Sequence, residues 1–342
     1  MKAVRLHKYH DRPSVDDVPE PKVTGPLDVI VRVGAAGLCR TDLHIYEGQW
    51  EPLTHPELPF TLGHENAGWV EEVGAAVTNV APGDGVILHP HLTCGLCRYC
   101  RAGDDMHCVN SLFPGVDGTD GGMAEYLLTT ARATVKLAAS LQPADVAALA
   151  DAGLTAYHAV KKAVPLLYPG TTALVIGAGG LGHIGVQTLK ALTPATIIVL
   201  DRNQAALDLV RGYGADHTVV ADDNAGEAVR DLTDGHGAEV VFDFVAEQGA
   251  EKLGWELTRR AGSHYIIGYG GTVEVPTIDI ISSERNIVGN LVGSYNDLAE
   301  LMALTAQGKV QLHTRTYPLD AVNDAMDDLD AGRLQGRGIL VP

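Results

Sequence analysis

Short apolar runs broken by glycine and proline fill the first 150 residues. Residues 29–33 read as a compact strand after the turn signal Gly25-Pro26. Residues 68–74 and 86–88 read as two more, with the turn Pro82-Gly83-Asp84-Gly85 between them. This texture predicts a small β-rich domain with long loops. It changes after Gln142-Pro143, where residues 144–150 and 154–164 are alanine-rich with helical spacing, until Tyr168-Pro169-Gly170 resets the chain. Strands at 173–176, 196–200, 218–220, 239–245 and 264–267 then alternate with amphipathic stretches. Such alternation is the signature of βαβ units and predicts an α/β domain with a doubly wound parallel sheet. Mixed texture returns at the end, with a helix near 296–306 and a closing strand at 338–341.

Composition fits that two-domain picture. The chain has 342 residues, 46% apolar and 20% charged, enough to bury a core. Twenty-five basic against 43 acidic residues leave a net charge of −18, which argues against a nucleic-acid or anionic-membrane binder, since either needs a basic face. The longest apolar stretch, 174–189, is rich in glycine and carries His183 and Gln187, so no membrane span is expected. Residues 1–10 lack the apolar centre of an export signal. Four of the five cysteines crowd between Cys94 and Cys108, which fits metal ligation in a reducing compartment and a cytoplasmic location.

Gly177, Gly179 and Gly182, with Ala178, Gly180 and Leu181 between them, form G-x-G-x-x-G directly after a strand and before a helical run to Leu192. That context identifies a Rossmann dinucleotide loop, whose glycines let a pyrophosphate approach the free N–H groups of a helix N-terminus. Asp201 ends the next strand, where a carboxylate accepts both adenosine ribose hydroxyls and repels a 2′-phosphate; NAD is expected over NADP. Arg202 beside it is the residue that could instead bind that phosphate.

Cys94, Cys97, Cys100 and Cys108 suit a closed tetrahedral zinc, a structural site. An iron–sulfur cluster begins with the same spacing, but here the fourth cysteine follows after seven residues and Val109, not proline, comes next. Cys39 stands alone and by itself reads as a small buried residue; His64-Glu65 and Asp151 raise the alternative of a catalytic zinc with three protein ligands and one open position. Asp151 also precedes a helical run, where a capping aspartate is ordinary.

The segments 37–44, 62–65, 121–126, 153–157, 177–182 and 336–340, with the four-cysteine lobe, occur in the order found in zinc-dependent medium-chain alcohol dehydrogenases. The chain resembles that family over essentially its whole length. The resemblance implies a GroES-like catalytic domain over residues 1–153, a Rossmann NAD-binding domain over 154–290 and a return to the catalytic domain over 291–342. It implies Cys39, His64 and Asp151 as catalytic zinc ligands, the last in place of a more usual cysteine, with Glu65 beside the metal and Asp42 accepting the free ring N–H of His64. Thr41 would bond the substrate oxygen and His44 would end a proton relay. Arg40 and Arg337 would meet the pyrophosphate, Thr155 would line the nicotinamide pocket, and Gly268 would join the cofactor site. The implied reaction is reversible oxidation of primary or secondary alcohols to aldehydes or ketones with NAD, using two zinc ions per chain. A polyol dehydrogenase is the alternative within the class, and an NAD-binding regulator the alternative outside it. A small-molecule substrate and a homo-oligomer, dimer or tetramer, are also implied, with no nucleic-acid or membrane partner. His89 and His91 flank Pro90 before the cysteine lobe and receive no role.

Overall fold

In the computed structural model, which describes residues 1–342, the chain opens with β1 (Lys2–Leu6), β2 (Ser14–Asp17), β3 (Asp28–Leu38), β4 (Phe60–Thr61) and β5 (Glu65–Val73). Strands β6 (Gly85–Leu88), β7 (Tyr126–Thr130) and β8 (Thr134–Lys136) follow. β1 lies between β2 and β4 in a small antiparallel sheet. β3 and β5 pair antiparallel from Val29↔Val73 to Gly37↔Glu65. β3 is longer than its apolar run indicated because Gly34, Ala35, Ala36 and Gly37 continue it, and residues with so little β-propensity carry no strand signal. At Gly37 the reason for the small residue is steric: an added Cβ would overlap the Glu65 carboxylate on the paired strand.

Strands β9 (Thr172–Ile176), β10 (Thr196–Asp201), β11 (His217–Val220), β12 (Ala238–Asp243), β13 (Thr258–Ile266) and β14 (Asn286–Gly289) are all parallel, in the order β11-β10-β9-β12-β13-β14. This is the doubly wound dinucleotide-binding topology. Ala173 and Val175 of β9 face one apolar layer while Leu174 and Ile176 face the other. Cover on both faces explains why these strands read as unbroken apolar runs. β12 stops two residues short of the expected 245, because Asp243 Oδ1 accepts the N–H groups of Val245 and Ala246 at 3.0 and 2.8 Å and turns the chain off the sheet.

Two last strands, β15 (Thr314–Pro318) and β16 (Arg337–Val341), complete a sheet ordered β15-β16-β3-β5-β6-β8, with β7 also on β3. The chain thus forms two compact units, Met1–Leu154 with Gly293–Pro342, and Thr155–Val292. No helix is long and apolar enough to cross a membrane.

Candidate active site

β3 ends at Leu38, and Cys39 caps the helix Arg40–Tyr46. Asp42, three residues on, closes a capping box: its Oδ2 accepts the Cys39 N–H at 2.8 Å, and its own N–H points at the Cys39 side chain. The cap fixes the cysteine side chain at the first turn of the helix. His64 and Glu65 enter at the start of β5, and Asp151 stands immediately before the helix Ala152–Ala163. Ligand atoms of Cys39, His64, Glu65 and Asp151 all lie within 4.8 Å of one another.

His64 Nε2 is 3.6 Å from Asp151, and Nδ1 is 3.5 Å from Asp42 Oδ1. Both ring nitrogens and Asp42 Oδ1 are buried without a hydrogen-bond partner. The Asp42 contact is therefore longer than the bond the sequence implied, since that carboxylate's other oxygen serves the cap. Glu65 is bonded at both ends. One oxygen accepts the Ala152 N–H at 3.0 Å, and the other pairs with the buried guanidinium of Arg337. The antiparallel register Gly338↔Leu38 brings Arg337 to this end of β3.

Burial alone would push the His64 imidazole down, but Asp42 and Asp151 hold it well above its ordinary value. Burial likewise pushes the Asp151 carboxyl up, and the facing His64 more than reverses it. At Glu65 burial wins despite Arg337, and the carboxyl is raised. Three carboxylates thus stand against one guanidinium and one imidazole, a donor set whose acidic groups a cation would compensate. With Glu65 engaged elsewhere, Cys39, His64 and Asp151 form a three-donor set that fits a zinc ion with a fourth position open. Thr41 and His44 are half-buried, three residues apart on the Arg40–Tyr46 helix, so they share a face; Arg40 is exposed at its first position.

The loop after β6 separates two histidines that the sequence could not rank. His89 has both ring nitrogens on carbonyls, those of His91 and Gly293, at 3.1 and 3.0 Å. His91 packs at a tilt against Phe113, which in turn makes a T-shaped contact with His64. Burial would have marked His91, and no local sequence pattern reports it.

In the cysteine lobe, ligand atoms of Cys94, Cys97, Cys100 and Cys108 also lie within 4.8 Å of one another, and all four are free of disulfides. Thiolates at tetrahedral zinc are ~3.8 Å apart, given a Zn–S bond of ~2.3 Å, so the cluster needs little movement to fit the ion. The N–H groups of Leu96 and Cys97 reach the Cys94 sulfur at 3.5 and 3.4 Å and hold that thiol down to about 6.

Within the unit Thr155–Val292, Gly177 follows β9 with φ +92°, and the helix Gly182–Leu192 begins five residues later. A Cβ at Gly182 would overlap the Gly177 carbonyl oxygen, which is why this turn needs glycine there. A Cβ at Gly179 would meet nothing within 4 Å, so the outer face of the loop is open for a phosphate. Asp201 is fixed beside the loop: its Oδ2 accepts the Ala178 N–H at 2.6 Å and its Oδ1 the Asn203 N–H at 2.7 Å. Arg202 bonds Gln248 at 3.0 Å. Gly268 lies just past β13 against the carbonyls of Phe244 and Val245, and Thr155 is buried near the start of its helix. Arg337 belongs to the other unit, where its guanidinium is 4% exposed as the counter-ion of Glu65.

The alcohol dehydrogenase GroES-like domain family matches residues 25–139, and the zinc-binding dehydrogenase family matches residues 180–307. D-arabinose 1-dehydrogenase (NADP(+)) of Saccharolobus solfataricus is 37% identical, with 100% of this chain and 97% of that protein covered. An NAD-dependent alcohol dehydrogenase of Sulfurisphaera tokodaii is 35% identical, with 100% of both covered. The crystal structure of the alcohol dehydrogenase from the hyperthermophilic archaeon Aeropyrum pernix matches with a TM-score of 0.97 at 47% identity, over 100% of both chains. Two family matches and full-length relatives agree with the fold and donor sets just described: the chain belongs to the zinc-dependent medium-chain alcohol dehydrogenases.

Proposed function

We propose that this enzyme reversibly oxidises primary or secondary alcohols to aldehydes or ketones, with NAD as the hydride acceptor. The observation that carries the reading is the meeting of Cys39, His64 and Asp151 around imidazole nitrogens that are buried and unpartnered. Zinc held there would supply a Lewis acid that lowers the pKa of an alcohol hydroxyl, and NAD the acceptor for hydride. Thr41 Oγ1 hydrogen-bonds the substrate hydroxyl, and His44, on the same helix face, receives the proton on a ring nitrogen and releases it to solvent. Glu65 and Arg337 fix each other beside the ligands, while Arg40, exposed at the start of its helix, offers positive charge to the pyrophosphate.

The four-cysteine lobe would hold a second, structural zinc through Cys94, Cys97, Cys100 and Cys108, which makes two ions per chain in this reading. Asp201 selects NAD, with both oxygens already aligned by backbone N–H groups and Arg202 engaged by Gln248. In this reading residues 1–153 and 291–342 form the catalytic domain and 154–290 the NAD-binding domain. The working form is a cytoplasmic homo-oligomer, dimer or tetramer. Initial rates of NAD⁺ and NADP⁺ reduction by zinc-loaded protein, across primary, secondary and polyol substrates, test it. We expect turnover with NAD⁺. Preference for NADP⁺, as named for the Saccharolobus solfataricus relative, would overturn the role of Asp201. No turnover on any alcohol with both ions bound would overturn the function.

A further inference from the structure

His91 is 7% exposed and takes no part in the reaction as described above. Its Nδ1 lies 3.1 Å from Ser111 Oγ, and that hydroxyl donates to the Leu112 carbonyl at 3.4 Å, which leaves the serine oxygen to accept from Nδ1–H. Nε2 is buried with no hydrogen-bond partner. The ring packs at a 41° tilt against Phe113 with centroids 4.4 Å apart, and Phe113 and His64 meet in a T-shaped contact at 5.6 Å. One aromatic ring therefore links the orphaned nitrogen to the metal-ligating imidazole, and His91 also lies within electrostatic range of Asp151. Buried polar atoms are rarely left unsatisfied, and those that are point to an absent partner.

The chemistry of that partner follows from the ring. Burial, then the neighbouring His89, push His91 down to about 4, so the imidazole is uncharged at neutral pH. With Nδ1–H donating to Ser111, the uncharged ring presents a lone pair at Nε2. A hydroxyl can donate to that lone pair, whereas a carbonyl or carboxylate only accepts and cannot.

We propose that His91 Nε2 hydrogen-bonds a second hydroxyl of the substrate, which makes diols and larger polyhydroxylated alcohols the preferred substrates over plain alcohols of the same length. The proposal rests on the alcohol-oxidation reading and narrows it. A site built to bond a substrate hydroxyl discriminates strongly against the analogue that lacks it, because its own polar group is then left unpaired.

The test compares kcat/KM for butane-1,2-diol and butane-1,3-diol with that for butan-1-ol, using the zinc-loaded full chain and NAD⁺. At least one diol is expected to exceed butan-1-ol by about tenfold. His91→Phe should remove that excess, and His91→Gln, whose amide reaches the place of Nε2, should keep most of it. Independently of turnover, the Nε2 nitrogen-15 resonance, assigned by its loss in His91→Phe, should move on adding the favoured diol to wild-type protein and stay in place with butan-1-ol. Turnover of butan-1-ol without a diol preference, or a preference that survives His91→Phe, overturns this proposal alone. Absence of turnover on every alcohol overturns the proposed function with it.

Discussion

Asp151 carries two possible duties, because the position before a helix is both where a capping aspartate belongs and where this site needs a third donor. Its oxygen lies 3.6 Å from His64 Nε2, in a group that also holds Cys39 and Glu65. A cap serves the helix, and its removal costs about 1 kcal/mol of stability without touching metal content. A ligand behaves differently. Asp151→Ala would leave His64 and Cys39 as a two-donor set, so bound zinc should fall from two ions to one per chain and turnover by at least ~100-fold. Asp151→Cys should restore both, since a thiolate supplies the same charge to the same ion. Metal analysis by mass spectrometry reads the outcome directly, and a variant that keeps both ions and full turnover would leave Asp151 as a cap only.

Elements differ in how plainly the sequence declares them. β9, its glycine loop and the helix Gly182–Leu192 are legible because every constraint is local: an apolar strand, a turn without Cβ atoms and a helix start within about twenty residues. The cysteine lobe is legible for the same reason. The pairing of Arg337 with Glu65 is not, because they are 272 positions apart and meet only through the register of β16 on β3. The partner roles of Gly37 and His91 are equally non-local, each set by a side chain from another strand or loop. The helix Val322–Asp330 shows how such a contact governs stability. Asp328 accepts the Tyr317 hydroxyl of β15 at 2.7 Å and faces Arg333 and Arg315 at 2.7 and 2.8 Å. The Tyr317 bond, then the Arg333 bond and charge, hold its carboxyl below the usual value. A carboxyl depressed in the folded state stabilises above its unfolded pKa, and that contribution fades as pH falls through the folded value. Asp328→Asn should therefore lower the urea midpoint at pH 7, and the gap to wild type should close below about pH 4. A gap independent of pH would show that the charge plays no part.

At the scale of the whole chain, both units bury apolar clusters, and one of them also carries the metal-donor groups. Thr155–Val292 holds a parallel sheet with apolar side chains on both faces, and its stability comes from burial. Both metal-donor clusters lie in the other unit, where four cysteines and a group of buried acids are brought together at close range. The protein carries a net charge of −18, so removal of divalent cations adds to a repulsion that is already large. Stripping zinc with a strong chelator should then act unevenly. Hydrogen exchange is expected to accelerate around residues 39–46, 62–66 and 94–111, where backbone positions are held by cap, strand start and N–H···S contacts to the donors. Amides of β9, β10, β12 and β13 should keep their protection, since nothing in their ladders or layers depends on a donor side chain. Raising the ionic strength should recover part of the lost protection in the first unit by screening the acids that metal removal leaves uncompensated and opens to water. Equal loss of protection in both units on chelation would mean that the metals support the fold as a whole, and the confinement of their effect to the unit that carries the donors would be wrong.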